Sequence, residues 1–252
     1  MQENTQESMP EMATPVANIV TKNNNQSQIA GAIVLAGLII AGAILLKGGS
    51  GLIAPKDLSK ASPLFNACLD SGKYTSAITD AKAAGSTVGV TGTPKGYIVS
   101  AGKVVSTIDG AEPFNDVKKK IDDAIAGKGI PQNNIKLDAV TNKDFAVGNP
   151  QAAVTIIMYE DFQCPFCGRF FQDSEKSIRS IYVKDGTVQF VYRDFPFLGA
   201  ESYKSAEAAS CANEQGKFWE YHDYLYSHQM GENQGAFSDT NLKSFAGTLK
   251  LK

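Results

Sequence analysis

Histidine and cysteine are scarce in this chain of 252 residues: there are two of the first and four of the second. So few ligands exclude a histidine-rich metal protein, and so few cysteines exclude a disulfide-dense miniprotein. An excess of either charge is also missing, since 24 basic and 26 acidic side chains leave a net charge of −2. Without a clustered basic surface to neutralise phosphates, nucleic acid is excluded as the expected partner. No internal repeat is visible. What remains is a chain with 43% apolar residues, long enough for one large domain or two small ones.

One hydrophobic run stands apart. Ile29 to Leu46 (IAGAIVLAGLIIAGAILL) holds no charged or strongly polar side chain over 18 positions, which at 1.5 Å per residue is about 27 Å of helix. The run predicts a single transmembrane helix. It follows a polar lead, 1–28, that is long and poor in basic residues, so an uncleaved anchor fits better than a signal peptide. The lead is expected to be disordered. Lys47, Lys56 and Lys60 follow the span and Lys22 precedes it; the positive-inside rule alone would leave the large domain in the cytoplasm. The cysteine chemistry below points the other way, to a single-pass cell-membrane protein whose domain is extracytoplasmic, and carries more weight.

Residues 47–60 read as a linker rich in Gly, Ser, Lys and Pro. Beyond it, helical spacing over Phe65 to Ala84 is broken by Gly85 to Pro94, two short strands (Gly96 to Val99 and Lys103 to Ile108) flank a turn, and a helix runs from Glu112 to Ile125. A polar stretch, Gly127 to Asn134, separates this half from the next. Ala153 to Tyr159 (AVTIIMY) is a continuous β-branched run, the pattern of a strand buried on both faces. Helix follows from Cys164 to about Val183, then a strand from Val188 to Tyr192, then helices to Leu249.

The run AVTIIMY feeds into Cys164-Pro165-Phe166-Cys167. A cysteine where a strand ends and a helix begins meets the unpaired N–H groups of the first turn and the positive end of the macrodipole, both of which favour a thiolate. Pro165 suits the first helical position because it has no N–H to lose. Cys167, one turn on, is near enough to attack a mixed disulfide on Cys164. Cys164 is therefore the expected nucleophile and Cys167 the resolving thiol. The competing reading is half of a zinc site. Cys68 and Cys211 are isolated, however, and His222 and His228 lie about 120° apart around a helix, which argues against a metal.

The stretch YEDFQCPFCGRFF, with VGNPQAAVTI before it and YRDFPF and AEAASCANEQGKFWEYHDYLY after it, resembles the DsbA-like thiol-disulfide oxidoreductases of the thioredoxin superfamily. The resemblance covers Asp144 to about Leu249 and implies an α/β thioredoxin-like fold with a helical insertion. FNACLDSGKYTSAITDAKAAGSTVGVTGTPKGYIV and the helix after it resemble the end of such a domain. The halves are thus in swapped order, 61–128 matching the C-terminal part and 136–252 the N-terminal part, with 129–135 joining them. Together they amount to about one such domain, so the expectation is a single circularly permuted domain over 61–252.

The resemblance further implies that Thr93-Pro94 forms a cis-proline loop facing the CxxC, where the Thr93 backbone could pair with an extended substrate. Cys68 and Cys211 fall in insertion helices; a structural disulfide is favoured over two buried free thiols. Two departures from the pattern stand out. Phe166 replaces the histidine that precedes the second cysteine in DsbA itself, which implies a less oxidising couple. The buried carboxylate that thioredoxins carry six residues before the first cysteine falls on Met158; Glu160 and Asp161 are nearer the motif, and a solvated acidic rim fits them at least as well as proton transfer. Phe65, Trp219, Tyr221 and Tyr224 are expected in the insertion core. The implied partners are unfolded or exported polypeptides with cysteines, a redox partner that regenerates the site and the lipid bilayer. No cofactor is needed.

Overall fold

The computed structural model describes residues 62–252. The predicted tail, membrane span and linker lie outside the described residues. Among those described, no helix is long and apolar enough to cross a membrane.

The centre of the fold is a sheet of five strands, β1 (Lys95–Ser100), β2 (Lys103–Asp109), β3 (Phe145–Val147), β4 (Val154–Glu160) and β5 (Val188–Asp194), in the order β2-β1-β4-β5-β3. β4 and β5 run parallel, and the other three pairings are antiparallel. The continuous run Ala153 to Tyr159 becomes β4, an inner strand whose alternate residues enter different cores. Ile156 and Met158 pack with Ile98, Ile108, Val117, Ile121, Phe170 and Ile178; Ile157 and Tyr159 pack with Val90, Tyr97, Val104, Val191 and Phe195. A strand buried on both faces needs apolar side chains at consecutive positions, which is why it shows no alternation in sequence.

α3 (Phe114–Ile125) and α4, the crossover helix at 165–183, cover the first face. α4 is α-helical over Pro165–Phe170 and Lys176–Ile178 and widens to π-helical geometry over Phe171–Glu175 and Arg179–Val183. The second face carries α2 (Thr75–Thr87) and the apolar side chains Ile135, Leu137 and Val140. A further helical layer is built from α1 (Pro63–Ser71), α5 (Ala200–Asn213), α6 (Phe218–Ser227) and α7 (Asp239–Thr248) around Phe65, Leu69, Tyr221, Leu225 and Leu242. Cys68 of α1 and Cys211 of α5 are joined there by a disulfide. Phe65 and Tyr221 are fully buried, whereas Trp219 is partly buried and Tyr224 stacks on His228.

Three local expectations are corrected. The helix expected over Phe65 to Ala84 is two helices, because Gly72 adopts a left-handed φ of 60° and caps α1. Gly85, expected to break helix, lies inside α2: a Cβ there would stand 2.8 Å from a Phe195 ring carbon and 2.9 Å from Tyr159, so its missing side chain serves close packing on the sheet. The short edge strand β3, which pairs with β5, was not expected at all. The chain passing 251–252 runs beside the start of α1, where Phe65 N donates to Lys252 O at 2.7 Å and Ser62 Oγ to Leu251 O at 2.8 Å.

Candidate active site

β4 ends at Glu160, and the four residues that follow are held by side-chain hydrogen bonds from distant parts of the chain. Asp161 Oδ2 accepts from the main-chain N–H groups of Phe197 and Leu198 at 2.9 and 3.2 Å, and its Oδ1 accepts from Gln163 N at 2.9 Å. Gln163 Nε2 donates to Ser202 Oγ, and its Oε1 accepts from Asn233 N. Gln229, just past α6, donates through Nε2 to the carbonyls of Phe162 and Cys164 at 2.6 and 3.1 Å. Gly168 makes room for it, since a Cβ there would sit 2.1 Å from Gln229 Oε1. These contacts fix the turn that delivers Cys164 to the N-cap of α4.

Pro165 occupies the first turn of that helix. Cys164 and Cys167 are both buried thiols, at 3% and 0% exposure, while Phe166 between them is 54% exposed. The Thr93-Pro94 peptide bond is cis and faces the pair: Cys164 Sγ donates to the Thr93 carbonyl oxygen at 3.4 Å. The two thiols are driven apart electrostatically. A hydrogen bond from Cys167 brings Cys164 down to about 6, against the opposing effect of burial, with help from the Thr93 side chain and the N–H groups of Cys167 and Phe166. Burial, the hydrogen bond to Cys164 and the negative charge of Glu160 push Cys167 well above the ordinary thiol value. One thiol is set to ionise and the other to keep its proton.

The acidic pair before the motif requires a correction. Glu160 and Asp161 are 0% and 1% exposed and form no solvated rim. Burial raises Glu160 to about 8, opposed by a 2.7 Å hydrogen bond from Tyr226 Oη to its Oε2. Burial also raises Asp161, opposed by the N–H groups it accepts from. Glu160 thus lies in the same low-dielectric surroundings as Cys167, in chemical character the buried carboxylate sought at Met158, which is itself an apolar core residue. Gln229 was missed, and no local pattern marks it, because its role comes from where α6 ends. The residues considered for zinc are not brought together: Cys68 and Cys211 bond to each other, and His228 stacks on Tyr224 while His222 is buried.

Residues 140–250 match the family described as thioredoxin. Among curated proteins, 106 residues are 38% identical to an Na(+)/H(+) antiporter NhaA 3 of Salinispora tropica, covering 41% of this chain and 15% of that protein. A probable disulfide bond formation protein D of Bacillus cereus is 29% identical over 91 residues, 35% of this chain and 42% of that one. Among solved structures, Wolbachia pipientis alpha-DsbA1 aligns with 21% identity and a TM-score of 0.41, over 45% of this chain and 57% of that one. The chain spans less than half the length of these curated relatives. The thioredoxin match runs through the Cys164–Cys167 turn and takes in the whole segment from before β3 to the end of α7.

Proposed function

We propose that this protein exchanges disulfides with cysteine-containing exported polypeptides through Cys164, in an extracytoplasmic domain held at the cell membrane by the apolar run 29–46. The observation that carries the reading is the asymmetry of the pair, a Cys164 thiol held near 6 beside a Cys167 thiol held high, opposite the Thr93 carbonyl. In the oxidising direction a substrate thiolate attacks Sγ of Cys164 in the Cys164–Cys167 disulfide, and Cys167 leaves and takes a proton. A second substrate thiolate then attacks its own sulfur in the mixed disulfide and expels Cys164 as a thiolate. The substrate loses two electrons and the enzyme gains them, so a separate redox partner must reoxidise the pair. A low thiol pKa makes Cys164 the better leaving group in that last step. Phe166 and the cis Thr93-Pro94 loop border the site; an extended peptide would pair with the Thr93 backbone as an added strand.

The domain is further read as a circularly permuted one. Support comes from the abutment of Phe65 and Ser62 with Lys252 and Leu251, where a direct join would restore the unpermuted order, and from the seating of β1 beside β4. The test is oxidation of a reduced two-cysteine peptide by the oxidised full chain. Cys164→Ala abolishes turnover under this reading; a purely peptide-binding module would keep its affinity and have no turnover to lose. Equilibration with glutathione sets the direction, and a potential near about −270 mV would move the assignment to a reductase.

A further inference from the structure

Apart from the two thiols, three ionisable side chains converge in the interior. Glu160 from the end of β4, Glu175 from the π-helical part of α4 and His222 from α6 are each 0% exposed. One ligand atom from each lies within 4.8 Å of the other two. Four atoms of these side chains, Glu160 Oε1, both carboxylate oxygens of Glu175 and His222 Nε2, have no hydrogen-bond partner among the described residues. Buried polar atoms are nearly always paired, and four without a hydrogen-bond partner in one cluster are unusual.

The histidine supplies an independent observation. Its Nδ1 is 2.9 Å from Asp223 Oδ1, a contact that in the neutral ring puts the hydrogen on Nδ1 and the lone pair on Nε2. That lone pair faces Glu175 Oε1 at 3.7 Å. An acceptor facing an acceptor is repulsive unless a proton or a cation lies between them. A carboxylate that fixes the far nitrogen of an imidazole is also the arrangement that orients metal-binding histidines. Arg179 is the neighbouring cation, and it is largely spoken for: its Nη2 lies 2.6 and 2.7 Å from the two oxygens of Asp223, and its Nε is 3.2 Å from Glu175 Oε1. Glu175 Oε2 and Glu160 Oε1 are left without a cationic neighbour in hydrogen-bond reach.

We propose that Glu160, Glu175 and His222 form a binding site for a single first-row divalent cation, of the zinc or manganese class. Two carboxylates and one imidazole suit such ions, and the fourth position falls to water or the second oxygen of Glu175. At bond lengths of about 2.0–2.2 Å a tetrahedral ion holds its ligand atoms about 3.3 to 3.6 Å apart, so a cluster now within 4.8 Å has to close by up to about an ångström. Binding would displace the protons that the carboxylates otherwise hold. Asp223, which contacts His222, is 43% exposed in its side chain. The zinc reading rejected from the sequence weighed cysteines and histidines alone; these ligands are two carboxylates and one histidine drawn from three elements. The proposal stands apart from disulfide exchange and does not depend on it.

Trp219, the single tryptophan of the chain, is a built-in reporter, its ring centroid 5.1 Å from that of His222. The full chain carrying Cys164→Ser and Cys167→Ser, which removes thiol ligands, is titrated with Co(II) and with Zn(II) while Trp219 emission and calorimetric heat are followed. The expected result is saturable quenching by Co(II) at one equivalent, reversed by Zn(II). Glu175→Gln and His222→Gln should each weaken binding at least about tenfold. Absence of saturable quenching overturns the proposal, as does unchanged affinity in both variants. Should the variants fold poorly, nitrogen NMR of His222 in the parent decides: a zinc-dependent shift of Nε2 supports the site, and an Nε2 that carries a proton at neutral pH and ignores zinc removes it.

Discussion

Cys164 Sγ and the Thr93 carbonyl oxygen stand 3.4 Å apart although 71 residues separate them in the chain. The contact joins the loop before β1 to the first turn of α4, and it places the buried Thr93 hydroxyl, which has no partner in the thiol form among the described residues, beside the sulfur. Iodoacetamide alkylation of Cys164, followed by peptide mass spectrometry across pH 4 to 9, should show a single inflection near about 6. Cys167 should stay unlabelled in that range because burial and its neighbours hold its proton. Thr93→Val keeps the main chain and removes the hydroxyl, so its inflection should move to higher pH; an unmoved inflection would leave the helix terminus and Cys167 as the whole cause.

The Cys68–Cys211 bridge spans 143 residues and ties α1, from the early half, to α5, from the late half. Removing a native bridge typically costs about 2 to 5 kcal/mol. Cys68→Ala with Cys211→Ala should therefore lower the unfolding free energy read from urea denaturation by that amount, measured with Cys164 and Cys167 replaced by Ser to prevent reshuffling. Disulfide mapping by mass spectrometry is the companion check. A dominant pairing of Cys68 with either active-site cysteine would contradict the arrangement described above.

How far such features can be read from sequence depends on whether a neighbour distant in the chain decides them. β4 was visible because a strand buried on both faces is apolar at consecutive positions and rich in β-branched residues, and β5 by its shorter core of Val188, Phe190, Val191 and Tyr192. The Cys164 turn was visible because helix-terminal chemistry is local. β3 is three residues long, too short for any period to register. For Glu160 and Asp161 a solvated rim fitted at least as well as proton transfer, because charged residues at a strand end are usually solvated. Their burial is set by Tyr226 and by the 197–198 main chain, which arrive from later helices and loops. Gly85 read as a helix breaker on propensity alone; only the approach of Phe195 and Tyr159 explains it.

That close approach gives a prediction of its own. Gly85→Ala should raise the helix propensity of α2 and yet destabilise the domain, because the added methyl would lie 2.8 to 3.0 Å from Phe195 and Tyr159 ring atoms. Overpacking of this kind costs about 1 to 3 kcal/mol and outweighs a propensity gain of about 1 kcal/mol. Chemical denaturation settles the sign. A stabilised variant would mean that α2 can lift from the sheet without loss.

Asp194 closes β5 with its carboxyl buried, and burial, with a smaller effect from the charge of Asp161, raises it from 3.8 to about 7. Its Oδ1 has no hydrogen-bond partner among the described residues. The folded state therefore holds a proton that the unfolded chain releases near pH 4. Below that value both states are protonated and the group contributes no pH dependence. Between about pH 4 and 7 the unfolded state sheds its proton first, so stability falls as pH rises, and above about 7 the loss is complete. Asp194→Asn removes the titration while keeping the shape, and should be more stable than the parent at pH 8 and close to it at pH 4. Urea midpoints of the two proteins at several pH values test this, and parallel curves would mean that Asp194 ionises in the fold as readily as outside it.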